Sequence, residues 1–335
     1  QIPRTQMTST QTKPDQQMHH VLDAIRTRHR FVIASHARPD GDATGSQLAL
    51  AYALRHLSKE ARVVSRDPPP PYLQSFSGIS EVEITSSVDG EYDAAIVLEC
   101  GSLNRAEVGG LDRYFLINID HHLGNTMYGA LNWFDETAAA CGEMVFEIVR
   151  GLGVPLTPEI ASLLYVTILT DTGSFRHSNI TARTFEICRQ IAKAGVIPAM
   201  VSDRVYQSGG LGKLRLTGAL LDRMELVGNG RVAVLHIDTQ ILQETGGSAD
   251  DMEGLVNIPL EALDVQAVVL FKQLDDTFRV SLRSKGTIDV RTVATAHGGG
   301  GHRNASGFSV SSPLDKARQK VIENVVAAVD AGTHS

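Results

Sequence analysis

The chain has 335 residues, 42% apolar and 21% charged, which excludes wholesale disorder, a collagen-like repeat and a coiled coil and leaves room for two ordinary domains. Its net charge of −7 argues against coating long nucleic acid, while allowing a small anion at a local site. No apolar run approaches the ~20 residues of a membrane helix; Leu163–Leu169 is the longest candidate.

Residues 1–17 (QIPRTQMTSTQTKPDQQ) are polar, lack the apolar core of a signal peptide and read as a disordered tail. Three scattered cysteines, Cys100, Cys141 and Cys188, form no C-x-x-C pair and point to reduced thiols in a cytoplasmic protein with no membrane partner. Phe31–Ser35 reads as a strand, His36–Asp42 as a loop and Ala43–Leu57 as a helix. Val63–Ser65 is a second strand, ended by the Pro68–Pro71 run. Ala94–Leu98 and Tyr114–Ile119 are a third and a fourth, with helices expected at Ala138–Gly151, Pro158–Thr170 and Thr181–Ala194. Short buried runs, each followed by a helix, predict an α/β fold with a parallel sheet and helices on both faces. Residues 195–216, rich in Gly and Ser with helical pieces, read as a linker between domains 18–194 and 217–332. Beyond it Arg231–Ile237, Val265–Gln273 and Thr277–Arg283 read as strands, the last two broken by Asp275-Asp276 as in a hairpin, and Asp315–Ala331 as a closing helix. A smaller α/β domain with a mixed sheet follows, with a cleft between the two domains as the expected ligand site.

The residues that carry chemistry follow the strands. His36, Asp40 and Asp42 (HARPDGD) come after the first, Glu99 after the third, and Asp120, His121 and His122 (DHH) after the fourth; Asp171 (LTDTGSF) follows a helix. Ligands of a doubly wound sheet bind outside the carboxyl ends of its strands, so these clusters should converge. Five carboxylates and three imidazoles in one place repel one another unless a cation neutralises them. Two divalent ions sharing a carboxylate answer that need, and hard oxygen ligands with one imidazole per ion suit Mn²⁺ or Mg²⁺. Such a pair can activate water and stabilise an in-line phosphoryl displacement. Asp42, just before a helix, fits a helix cap equally well.

A second signal is Gly298–Gly301 followed by His302, Arg303 and Asn304 (GGGGHRNASG). Consecutive glycines bring backbone N–H groups close to an anion, although such a run also serves as a plain turn. Between Thr277 and Gly307 five basic residues, Arg279, Arg283, Lys285, Arg291 and Arg303, face a single acid, Asp289. In an acidic chain that imbalance points to a phosphate- or carboxylate-binding surface, with an ordinary solvated strand face as the alternative.

At HARPDGDATGS, VLECGS, NIDHHLGN and LTDTGSFRHSN the sequence resembles the DHH phosphoesterase family, and GGGGHRNASGF resembles the glycine-rich signature of the DHH-associated domain. The resemblance runs from about Met18 to Ala331 and points to the NrnA-like group. It implies one metal held by His36, Asp40 and Glu99 and another by Asp42, Glu99, His121 and Asp171. It implies His122 at the scissile phosphate as contact or proton donor, with Asp120 orienting an imidazole. In the second domain it implies Arg283, Ser284 and His302 at the terminal phosphate, with Gly299, Gly300, Gly301, Arg303 and Asn304 in the same loop. The activity implied is Mn²⁺-dependent hydrolysis of short 5′-phosphorylated oligonucleotides (nanoRNA, pApA) to mononucleotides, with pAp 3′-phosphatase activity; long nucleic acid is not expected as a partner, and a homodimer is left open. The family usually carries aspartate where this chain has Glu99. Two alternatives therefore stand: a cyclic-dinucleotide phosphodiesterase, or a nucleotide-binding protein whose chemistry Glu99 impairs.

Overall fold

Uninterrupted runs of small and branched aliphatic residues make the central strands of the first unit, because a parallel strand is buried on both sides. The computed structural model describes residues 14–248, 254–274, 276–311 and 313–332, which fall into two units, Gln1–Ser208 and Gly209–Ser335. Chain order in the first unit is α1 (Pro14–Arg26), β1 (Arg30–Ala34), α2 (Gly41–His56), β2 (Glu60–Ser65), β3 (Glu83–Ile84), β4 (Ala94–Leu98), β5 (Leu116–Asp120), β6 (Leu131–Phe134), α3 (Cys141–Gly151), α4 (Pro158–Asp171), α5 (Ala182–Lys193) and α6 (Pro198–Tyr206). Helix α1 begins inside the stretch expected to be a tail, and residues 1–13 of that stretch lie outside the described residues.

The six strands pair in the order β3-β2-β1-β4-β5-β6, all parallel. The order reverses between β1 and β4, the point where doubly wound sheets open a crevice. Helices α1 to α6 share a core with Phe31, Ile33, Ile96, Ile117 and Ile119 on one face. The expectation of helices on both faces is corrected here. Val32, Ala34, Ala95 and Val97 on the other face are covered by Cys100, Ala106, Val108 and Leu111, from loops and short 3₁₀ turns. Crossovers between parallel strands are right-handed, so the step from β4 to β5 passes over the second face. The connection is short and spans that face in turns rather than a helix.

The second unit holds α7 (Leu211–Asp222), β7 (Glu225–Val227), β8 (Val232–Ile237), α8 (Thr239–Thr245), β9 (Ala267–Leu274), β10 (Thr277–Ser284), α9 (Arg291–Ala296), β11 (Gly300–His302), β12 (Ala305–Ser311) and α10 (Leu314–Gly332). Its mixed sheet runs β11-β12-β10-β9-β8-β7, with β8 and β9 parallel and the other pairs antiparallel. Helices α9 and α10 pack on one face and α7 and α8 on the other. The segment read as a linker carries α6 and the start of α7, and the units divide after Ser208. β9 and β10 pair from Leu274 and Thr277 outward, as the expected hairpin requires; Asp275 lies outside the described residues.

Candidate metal centre

Because β1, β4 and β5 lie side by side, the loops at their carboxyl ends meet at one edge. Glu99 is the first residue beyond β4, Asp120 the last of β5, and His36 stands just past β1. Asp40 and Asp42 open α2, where Asp40 is the cap: its side chain accepts the N–H of Ala43 at 2.9 Å. Asp171 is the last residue of α4, and α4 lies close against α2 because Gly41 and Gly45 leave no side chain between them. A Cβ on Gly41 would sit 2.6 Å from Thr170 Oγ1, and one on Gly45 2.7 Å from Thr167 Cγ2. These two glycines bring Asp171 to the mouth of β1.

One ligand atom each from Asp42, Glu99, His121 and Asp171 lies within 4.8 Å of the others. His121 Nε2 is the hub, 3.2 Å from Glu99 Oε2, 3.7 Å from Asp171 Oδ2 and 3.9 Å from Asp42 Oδ2. Its Nδ1 lies 2.9 Å from Ala138 O, so that nitrogen donates to the carbonyl and Nε2 faces the acids, the orientation a metal-ligating imidazole takes. Glu99, His121 and His122 form a second such triple. His36 and Asp40 approach each other at 3.9 Å (Nε2 to Oδ2), and among the described residues they join no group of three. Glu99 takes a left-handed backbone, φ 55°, which turns its side chain back over the edge. That conformation costs roughly 1–2 kcal/mol for a residue that is not glycine.

The electrostatics are those of an unneutralised cluster. Burial, then the charges of Glu99 and Asp171, push Asp42 well above the carboxylate range. Burial likewise pushes Asp171 up to about 7, against the pull of His121. Burial opposes the charge on Glu99 too, but His121 and His122 outweigh it and hold that carboxyl low. Burial disfavours charge on His121 and His122, yet the acids around them dominate and raise both. Glu99 Oε2 is buried without a hydrogen-bond partner. Three carboxylates, an imidazole nitrogen turned toward them and an orphaned oxygen fit a hard divalent cation.

His122 stands next to this group. Its Nδ1 is 2.8 Å from Asp120 Oδ1 and its Nε2 3.4 Å from Glu99 Oε1. Asp120, fully buried, takes no part in either cluster. Sequence reasoning missed Asn118, Asn125 and Asn132, whose amides form a chain ending on Asp120. The signal available was the clustering of three asparagines around the DHH triplet.

The second unit gathers the other residues around β10, β11 and β12. Ser284 Oγ donates to Ile288 O at 2.7 Å and accepts from Asn304 Nδ2, which also donates to Gly286 O and Ile288 O. Both side chains are thus engaged in holding the turn. Two glycines of the run are sterically required and two are open: a Cβ on Gly298 would meet nothing within 4 Å. A Cβ on Gly299 would lie 2.2 Å from Gly307 O, and one on Gly301 2.5 Å from Ala305 O, both in or against β12, whereas one on Gly300 would meet nothing. Arg283 donates to its neighbour Leu282 O, and burial lowers its pKa. His302 and Arg303 are exposed at the hairpin.

Residues 30–168 match the DHH family N-terminal domain and residues 229–331 the DHHA1 domain. A "bifunctional oligoribonuclease and PAP phosphatase NrnA" of Thermus thermophilus is 33% identical over 295 residues, 88% of each chain. The Bacillus subtilis protein of the same name is 30% identical over 87% of this chain and 93% of its own. An exopolyphosphatase-related protein from Bacteroides fragilis superposes with a TM-score of 0.85 at 25% identity, covering 93% of this chain and 96% of that one. Exonuclease RecJ bound to manganese, at 16% identity and a TM-score of 0.51 over 94% of each chain, shares the fold. With both domains matched in order and relatives of this identity covering almost the whole length, the chain belongs to the DHH family of phosphoesterases, beside the proteins named NrnA.

Proposed function

We propose that this protein is a metal-dependent phosphodiesterase that hydrolyses short 5′-phosphorylated oligonucleotides to nucleoside 5′-monophosphates and removes the 3′-phosphate of pAp. The observation that carries the reading is the meeting of Asp42, Glu99, His121 and Asp171 within 4.8 Å. The names of the Thermus and Bacillus relatives support the substrate class. Asp42, Glu99, His121 and Asp171 would hold one divalent ion, Mn²⁺ by preference, and His36 and Asp40, with Glu99, would hold a second. Bound there, the ions would supply Lewis acidity and a water nucleophile.

The residues do the rest. Glu99 is the carboxylate common to both sets. His122, held through Nδ1 by Asp120, presents Nε2 to the substrate. It gives its proton to the 3′-oxygen as the P–O3′ bond breaks, so the phosphate stays on the released nucleotide. Arg283, His302, Arg303 and the open backbone at Gly300 take a phosphate of the substrate. The absence of a long basic track in a chain of net charge −7 fits a short substrate.

The test is turnover of 5′-labelled pApA with and without Mn²⁺, beside pAp, cyclic di-AMP and a long single-stranded RNA. Metal-dependent release of mononucleotide from pApA with the long RNA nearly untouched is the expected result. Preference for cyclic di-AMP, or binding of nucleotide without turnover of any substrate, overturns it.

A further inference from the structure

The carboxylate that orients His122 is itself held by an amide that neither the family match nor the relatives' names account for. Asp120 Oδ2 accepts Asn125 Nδ2 at 2.6 Å, while Oδ1 accepts the His122 backbone N–H at 3.3 Å and faces His122 Nδ1 at 2.8 Å. Asn125 has no choice of orientation. Its Oδ1 accepts from Met127 N at 2.7 Å and Asn118 Nδ2 at 2.9 Å, which turns Nδ2 toward Asp120. Asn118 lies two residues before Asp120 on β5, on the same face, and pairs in register with Asn132 of β6, whose Oδ1 it reaches at 3.0 Å. Asn132 closes the loop by bonding both the N–H and the carbonyl of Gly129. Asn118 and Asp120 are buried.

We infer that Asn125 is a positioning residue for His122, acting through Asp120, with Asn118 and the Met127 N–H holding its amide in place. The inference rests on the reading of His122 as proton donor to the leaving oxygen. A carboxylate with one oxygen anchored cannot rotate about Cβ–Cγ, so the other oxygen stays in the imidazole plane and fixes the Nδ1–H tautomer. Without the anchor, Asp120 has other orientations open to it and His122 loses its aim. The side-chain bonds of Asn125 run to Asp120, Asn118 and the Met127 N–H, so the effect is expected on proton donation.

Measurements on Asn125→Ala and Asn132→Ala test this. Asn125→Ala is expected to lower kcat for pApA about 10–100-fold, the usual cost of losing an orienting partner, while KM and Mn²⁺ affinity hold. On the p-nitrophenyl ester of thymidine 5′-monophosphate, whose leaving group departs without a proton, the same variant is expected to turn over as wild type does. Asn132→Ala removes an amide that never touches Asp120 and is expected to lower Tm with little change on either substrate. Equal losses on both esters, or an Asn132→Ala profile matching that of Asn125→Ala, overturn the inference. If wild type cleaves the p-nitrophenyl ester and not pApA, the proposed substrate class fails instead. The positioning role is then decided by NMR: the downfield His122 Nδ1–H resonance is expected to shift in Asn125→Ala and not in Asn132→Ala, and a resonance unmoved in Asn125→Ala overturns it.

Discussion

Asp42 Oδ2 accepts the backbone N–H of Cys141 at 2.6 Å, and its Oδ1 accepts that of Gly142 at 3.0 Å. The carboxylate at the start of α2 thus covers the open N–H groups at the start of α3, where the helix dipole favours negative charge. Ser46 Oγ adds a third donor at 3.0 Å. A candidate metal ligand and a structural cap are one side chain.

That double role separates two acids of the same cluster. Asp42→Asn keeps one acceptor oxygen and is expected to destabilise the metal-free protein by about 1–2 kcal/mol. Asp171, whose carboxylate bridges no helix end, is pushed up to about 7 by burial and by its acidic neighbours. Asp171→Asn relieves like-charge repulsion and is expected to stabilise the metal-free protein by about 1 kcal/mol. Both variants are expected to lose high-affinity Mn²⁺ binding. Denaturant titration and calorimetry read the two effects independently.

The raised acids give the metal-free protein an unusual pH profile. A carboxyl whose pKa rises on folding stabilises the fold fully below its unfolded value, near 3.8, and loses that contribution as pH climbs through the folded value, about 7 for Asp171. Asp42 and His121, both raised, act in the same direction, the imidazole over a window that begins near its ordinary value of 6.5. Glu99, held low, gains nothing across this range. The Tm of EDTA-treated protein is therefore expected to fall between about pH 5 and 8, and saturating Mn²⁺ to reverse the slope by displacing those protons. A flat profile without metal counts against the cluster.

Glu99 reaches both imidazoles, His121 at 3.2 Å and His122 at 3.4 Å. Shortening it by one methylene withdraws the carboxylate by about 1.5 Å. Glu99→Asp is thus expected to lower kcat about 100-fold, the scale set by an ångström of misplacement. Increased turnover would instead mark glutamate as an impairment of this chain.

The glycine run divides into two kinds. Gly299→Ala drives a methyl into Gly307 O and Phe308 Cβ and is expected to cost about 1–3 kcal/mol. Gly300→Ala meets nothing and is expected to change stability by less than about 0.5 kcal/mol. If that backbone takes a phosphate, Gly300→Ala raises KM for pApA with Tm unchanged; an unchanged KM removes Gly300 from the binding surface.

Much of this arrangement was legible in the residues. AAIVL could only be a doubly buried strand, and the acids at the ends of such strands had to meet once the sheet was parallel. Harder to read was what depends on distant partners. Nothing local says that Asp42 caps a helix 99 positions away, or that Gly299 is tight because β12 passes beside it. Helix α1 is hard to read because its sequence, PDQQMHHVLDAIR, opens on polar residues, and its buried core residues, Val21, Leu22, Ala24 and Ile25, come only in its second half. Asn118 reads as an ordinary residue of its strand and Asn132 lies in a strand that the sequence did not announce, until their register sets them side by side.

The four residues of the cluster around His121 Nε2 are spread from position 42 to position 171. On the ribosome, where the amino-terminal end folds first, a nascent chain stopped before α4 has Asp42, Glu99 and His121 but lacks the fourth ligand. Completion of the four-residue cluster therefore belongs late in the synthesis of the first unit.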